Sequence, residues 1–312
     1  MGLLETAQQK NSDLMTVERE LRTKVGEVVR AYRHSWDVYS ELLQNAVDAI
    51  NRRYRMLNDP QYFRYEAYRL QYPEAEPDAH YKGRIAISID VLKKQIQICD
   101  NGVGIASENL ERFLLPEGTD KRMGQEYGFK GYGLTYVAFI SRTFSLTSRP
   151  LAPSERSEHQ ICLSGLFSWL IDDTGNTPFP NGPVPDAQPA PGKLADTWNT
   201  IVSVELEDEY AVRFPAVSSA QQAIELVESQ DRLHAFEYVL RTRTAVGNTR
   251  PLFRRPPIVP IDITLSIRFA DGSEQNDIPI PYRYFHPREH DEVAVDDYEF
   301  SAYVKKTENR GI

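Results

Sequence analysis

Between Tyr39 and Ile50 the apolar positions almost close around a helix. At about 100° per residue, Tyr39, Leu42, Leu43, Ala46, Val47, Ala49 and Ile50 cover most of the circumference. Glu41, Asn45 and Asp48 fall within roughly 60° of one another on the rest, beside Ser40 and Gln44. A solvated helix would carry a wider polar face with Lys or Arg, so the pattern predicts a helix buried on most sides whose narrow polar strip lines a cavity. Residues 11–34, rich in Glu, Arg, Leu and Val, predict a helix before it.

Downstream the period changes to two. Ile85, Ile87 and Ile89 share one face of a strand, Lys93 and Lys94 mark a turn, and Ile96 and Ile98 lead a second strand into Asp100. Cys99 then points to the opposite side, as a core residue. Leu134 to Ile140 can begin a helix, whereas Ile161–Leu163 and Leu166–Ile171 read as strand-like runs. Thr200, Val202, Val204 and Leu206 alternate as a strand, and a helical pattern returns from Ala220 to Arg243. Pro251, Pro256, Pro257 and Pro260 then mark a boundary, beyond which Ile261 to Phe269 alternates again, Asp271-Gly272 suggests a hairpin, and Tyr298, Phe300 and Tyr303 suggest a further strand. Helices and strands are thus interleaved, as in an α/β protein.

Two glycine-rich stretches stand where these elements end. Asp100-Asn-Gly102-Val-Gly104 follows a strand, a place where Asp is most often part of a turn and glycines supply positive φ. Its functional reading is an acceptor for a base amino group, with glycines that let a planar ring approach the backbone. Gly128-Phe-Lys-Gly131-Tyr-Gly133 precedes the Leu134 helix. Exposed N–H groups, a helix N-terminus and the charge of Lys130 suit phosphate. The spacing is neither the dinucleotide fingerprint nor the Walker loop.

Each stretch alone is weak; their conjunction in the order helix, strand end, glycine loop resembles the GHKL superfamily, which includes gyrase B, the heat-shock chaperones of ninety kilodaltons, histidine kinases and MutL, together with the related MORC ATPases. The resemblance runs from about residue 35 to about 206, its last element being the Thr200 strand. It implies a two-layer α/β sandwich of the GHKL (Bergerat) type. Glu41 is similar to the general base that activates the attacking water, Asn45 to the ligand of Mg2+, and Asp48 to the helix residue supporting the pocket. Asp100 matches the adenine reader, and Gly102 and Gly104 the glycines beneath the nucleotide. Gly128, Phe129, Lys130, Gly131, Tyr132, Gly133 and Leu134 fall in the motif of the lid that closes over the triphosphate, and Thr200 in the final motif, whose threonine is expected at phosphate. Thr119 and Lys121 lie mid-lid, between Gly104 and Gly128, and would reach phosphates on closure.

The resemblance implies binding and slow hydrolysis of ATP, with lid closure and an ATP-dependent homodimer as output. The setting it suggests is a MORC-like or chaperone-like clamp on DNA or a protein client, a type that a bacterial defence or DNA-transaction system would fit. The alternative is a regulatory module that senses ATP or ADP without hydrolysing it, or a protein-interaction scaffold. A histidine kinase would need a mobile acceptor histidine, and of the six histidines only His34 precedes the pocket helix, too near Glu41 to serve.

Composition narrows the partners. In 312 residues the net charge is −9, which weighs against coating nucleic acid by net attraction. Residues 52–72 interleave Arg with Tyr and Phe, a pattern of ordinary packing or of a contact surface. Two cysteines, Cys99 and Cys162, make no disulfide framework, and the absence of a long apolar run predicts a cytoplasmic protein without a membrane span. The expected organisation is an N-terminal helical segment at 1–34 and an ATP-binding domain at 35–250 with insertions near 52–82 and 150–198. A partial transducer-like domain at 251–312 would follow, with Lys305 and Lys306 as candidates for a lysine reaching the γ-phosphate.

Overall fold

The structure is a computed structural model, and it describes residues 18–62, 64–71, 80–110, 112–116, 131–151, 158–172, 174, 177, 179, 188–189, 192, 194–195, 197–207, 222–247, 259 and 261–281. Helix α1 covers 18–31 and α2 Asp37–Asn58. Asp37 ties the turn between them, its Oδ2 accepting the N–H groups of Arg33 and His34 at 2.8 Å each. In the first turn of α2 its negative charge also complements the helix dipole. As the periodicity predicts, α2 is buried at Val38, Tyr39, Leu42, Leu43, Ala46, Val47 and Ile50. A short α3 follows at Tyr65–Gln71.

Strands β1 (Gly83–Asp90) and β2 (Gln95–Asp100) form the antiparallel pair read from the isoleucine alternation, with Ile85 opposite Asp100 and Ile89 opposite Ile96. Next come a single turn, α4 (Ser107–Leu110), and α5 (Gly133–Phe139), then β3 (Ser141–Ser148), β4 (His159–Ser164), α6 (Leu166–Ile171), β5 (Gln188–Pro189) and β6 (Thr200–Leu206). Another single turn, α7 (222–225), precedes α8 (Leu233–Arg243), β7 (Ile261–Arg268) and β8 (Glu274–Ile280). The strands make one mixed sheet in the order β5-β4-β3-β6-β2-β1-β7-β8, parallel only between β1 and β7.

One sheet face carries Ile85, Ile87, Ile96, Ile98, Phe144, Leu146, Val204 and Leu206, all buried, and packs against α2, α5 and α6. The other carries half-buried Ser88, Gln95, Gln97, Ser203 and Ser266. Tyr39 joins α2 to the α7 turn and α8: its hydroxyl donates to the Ala223 carbonyl at 3.0 Å and its ring meets Phe236 edge-on at 5.0 Å.

Two expectations change. Leu166–Ile171 is a helix rather than a strand: Gly165 turns into the left-handed region (φ 76°) and stops β4, and the buried positions 166, 167, 169 and 170 then follow helical spacing. The prolines after 250 do not begin a separate sheet. β7 pairs with β1 from Gly83↔Ile261 to Asp90↔Arg268, and Ile263, Leu265 and Ile267 are at most 2% exposed in the shared core. Each such side chain contributes about 1.5–3 kcal/mol relative to exposure, reason enough for the strand to join the sheet. The Asp271-Gly272 hairpin is present, with Gly272 at φ 81°. The strand expected near Tyr298, and Lys305 and Lys306, lie outside the described residues. Neither cysteine is in a disulfide; Cys99 is buried and Cys162 exposed. Among the described residues no helix is long and apolar enough to cross a membrane.

Candidate functional site

Helix α2 presents Glu41 and Asn45, half-buried, and Asp48, 2% exposed, along one strip. Both glycine-rich stretches come to that helix. At one end, Val103 N–H donates to the Ala49 carbonyl at 3.3 Å, and a Cβ on Gly102 would lie 2.6 Å from both the carbonyl carbon and the Cβ of Ala49. At the other end, a Cβ on Gly133 would meet Glu41 Oε2, 2.0 Å away. Ala49 and Glu41 are eight residues apart, about 12 Å along the axis.

The Asp100 end is tightly fixed. Asp100 Oδ1 accepts the Gly102 N–H at 2.8 Å, and the Asp100 carbonyl accepts the Asn199 N–H at 2.8 Å. Burial pushes the Asp100 carboxyl up to about 7, against the opposing hydrogen bonds from Gly102 and Thr200 and the charge of Arg53. Its neighbour Cys99 is raised to about 12 by burial and by the Asp100 charge. Gly104 adopts φ 68°, and a Cβ there would lie 2.1 Å from the Arg149 carbonyl oxygen, so this position requires glycine on both counts. Ser148 fastens the same loop to β3 and β6, accepting from Ile105 N–H at 2.7 Å and donating to the Asn199 carbonyl at 3.2 Å.

Thr200 lies directly opposite Asp100 in the β2–β6 register and hydrogen-bonds to it. It therefore belongs to the Asp100 end of the strip, because antiparallel pairing brings the start of β6 to the end of β2, whereas the resemblance implies contact with phosphate.

Of the second glycine stretch, Gly131 (φ 71°), Tyr132, Gly133 and Leu134 are described, half-buried, where α5 begins. Thr119, Lys121, Gly128, Phe129 and Lys130 lie outside the described residues. The first part of the expected lid packs down, with Leu110 and Leu114 at 0% and 3% exposure.

Three residues given no role from the sequence shape the site. Asn101 clamps the loop after β2: its Oδ1 accepts the Arg84 N–H at 2.7 Å, and its Nδ2 donates to the Lys82 carbonyl at 3.0 Å. Arg53, on α2, donates to the Asn101 carbonyl at 2.7 Å and lies over the Tyr81 ring. Tyr32, in the turn before α2, donates its hydroxyl to Glu41 Oε1 at 3.0 Å. No sequence period links Tyr32 to Glu41; the turn between α1 and α2 brings them together.

The Gly102 contact yields a test. Gly102→Ala forces its methyl against the backbone of α2, which cannot yield as a flexible side chain would. The substitution is expected to cost about 1–3 kcal/mol, measured by denaturant unfolding.

No protein-family model matches the chain, and no curated protein sequence matches it.

Proposed function

We propose that the chain binds Mg-ATP along the α2 strip and hydrolyses it slowly. The observation that carries this reading is the docking of the two glycine segments on one helix, Gly102 at Ala49 and Gly133 at Glu41. Their separation of about 12 Å is of the scale between the amino group of a purine and the terminal phosphate of an extended nucleotide. The base lies at Asp100, whose carboxylate accepts the exocyclic amine, with Gly102 and Gly104 beneath the ring. The triphosphate runs toward the N-terminus of α5, where Gly131 and Gly133 let backbone approach it.

Asn45 stands one turn from Glu41 on the same strip and offers one neutral oxygen. That donor fits Mg2+, which typically takes one or two protein ligands and completes its octahedron with phosphate oxygens and water. Bound there, the ion supplies charge neutralisation across the phosphates. Glu41 accepts the proton of a water molecule as its oxygen bonds to the γ-phosphorus, and the bond from that phosphorus to the bridging oxygen breaks, releasing ADP and phosphate. Asp48 supports the strip from within the core. Lid closure and association of two copies, serving a clamp on DNA or a protein client, are the proposed output.

Magnesium-dependent ATP turnover by the purified chain, followed with nucleotide binding and molecular mass, tests the reading. Binding without turnover would instead assign a sensor, and no binding would remove the nucleotide site. Asn45→Ala is expected to weaken ATP binding roughly tenfold or more with Mg2+ present and to leave binding in EDTA unchanged. Equal losses in the two conditions would contradict metal ligation.

A further inference from the structure

Glu41 is held by more than its own helix. The Tyr32 hydroxyl reaches its Oε1 at 3.0 Å, and its Oε2 lies against Gly133, the first residue of α5. Tyr32 in turn stacks on Tyr136 of α5, ring centroids 3.9 Å apart and planes at 15°. The carboxylate is therefore gripped between the end of α1 and the start of α5.

The grip is rigid at its far side. Val25, Val28 and Val29 of α1 are buried, Arg22 donates to the Asp172 carbonyl at 2.8 Å, and its guanidinium lies 4.7 Å from the Trp169 ring centroid. Tyr32 N–H bonds to the Val29 carbonyl at 3.3 Å, and the two bonds to Asp37 close the turn after it. Burial, followed by the charge of Glu41 and the hydrogen bond to it, raises the Tyr32 phenol well above its usual range. Tyr32 thus stays a donor at any working pH.

Packing alone does not account for this arrangement. A phenylalanine would stack on Tyr136 equally well, whereas the hydroxyl restrains rotation of the carboxylate about its last torsion, which is otherwise soft. The Tyr136 hydroxyl, fully buried, has no hydrogen-bond partner among the described residues.

We infer that Tyr32 is a positioning residue for hydrolysis: supported by the Tyr136 ring, it orients Glu41 so that Oε2, on the Gly133 side, receives the proton of the attacking water. This inference rests on the ATPase reading above and adds to it a residue that touches neither nucleotide nor metal. It also gives α1 a task, since the segment that carries Tyr32 is anchored through α1 to α6.

Tyr32→Phe separates the hydroxyl from the ring. The expected result is a fall in kcat of about tenfold, part of the contribution of a well-placed general base, with KM for ATP and nucleotide Kd within about twofold of the parent. The melting temperature should fall by no more than about 4 °C, because one hydrogen bond is lost and the stack is kept. Tyr32→Leu, which also removes the ring, should lower kcat at least as far. An unchanged kcat in Tyr32→Phe would overturn the inference, as would a loss confined to Tyr32→Leu or a loss expressed mainly in KM. Each of those results leaves the ATPase reading standing in a parent that turns over ATP. A parent without turnover would remove that reading, and the inference with it.

Discussion

Glu41→Ala is expected to lower ATP turnover by roughly 10²–10⁴-fold while leaving nucleotide affinity nearly unchanged, because a general base acts on the water and not on the bound nucleotide. The substitution has a second consequence that must be separated from the first. Tyr32 loses its acceptor, and a half-buried phenol left unpaired costs about 1–3 kcal/mol. Glu41→Gln avoids that cost, since the amide oxygen still accepts from Tyr32 while the group can no longer take a proton. The expected pattern is loss of turnover in both variants and loss of thermal stability chiefly in Glu41→Ala. Single-turnover kinetics with a binding assay and a thermal melt measure all three quantities. Turnover that survives in Glu41→Gln would end the assignment of the base.

The second large effect is expected at Asp100, where binding and stability should move in opposite directions. Its carboxyl lies near 7 in the folded protein, raised by burial above the ordinary carboxylate range. A raised carboxyl means that the fold holds a proton which the unfolded chain releases. The contribution of this group to stability is thus fully present in acid and is lost as pH rises through about 7, by a few kcal/mol at most. Asp100→Asn should remove that dependence and raise the melting temperature of the nucleotide-free protein above neutral pH. The amide still accepts from Gly102 and can still pair with Thr200, so the loop geometry is kept.

Nucleotide binding should behave otherwise. The ionised carboxylate is the acceptor for the adenine amine, so the ATP affinity of the parent is expected to rise between pH 6 and 8 as Asp100 loses its proton. Asp100→Asn should weaken binding roughly 10- to 100-fold at pH 8, the loss of a charge-assisted hydrogen bond, and flatten the pH profile. Tight binding by both Asp100→Asn and Asp100→Ala, measured calorimetrically, would sink the assignment of the adenine reader. A parent profile that is flat across this range would instead show that the group does not titrate there.

How far these residues could be read from sequence follows from the range of the forces that place them. The strip of Glu41, Asn45 and Asp48 was legible because helical periodicity is local and the apolar positions around it leave only one face free. The alternation of β1, β2 and β6, the turn at Lys93-Lys94 and the hairpin at Asp271-Gly272 were legible for the same reason, a period of two interrupted by turn residues. Leu166–Ile171 was misread because a six-residue apolar run satisfies either period, and the left-handed Gly165 that decides between them is a property of the folded chain.

Tertiary structure alone decided which elements became neighbours. Period-two alternation identifies a strand but not its partner, so the parallel pairing of β7 with β1 across the proline-rich segment came from burial of Ile263, Leu265 and Ile267 in the common core. The β2–β6 register set Thr200 opposite Asp100 and so at that end of the strip. The turn after α1 set the Tyr32 hydroxyl on Glu41, a contact between residues that share no motif. By itself the sequence determined the chemistry available on α2 and at the ends of the strands, because short-range periodicity and turn preference are written residue by residue. The assembly of that chemistry into one site was left to long-range packing, because close approach of backbone to helix at Gly102 and Gly133 exists only once the sheet and α2 are in place.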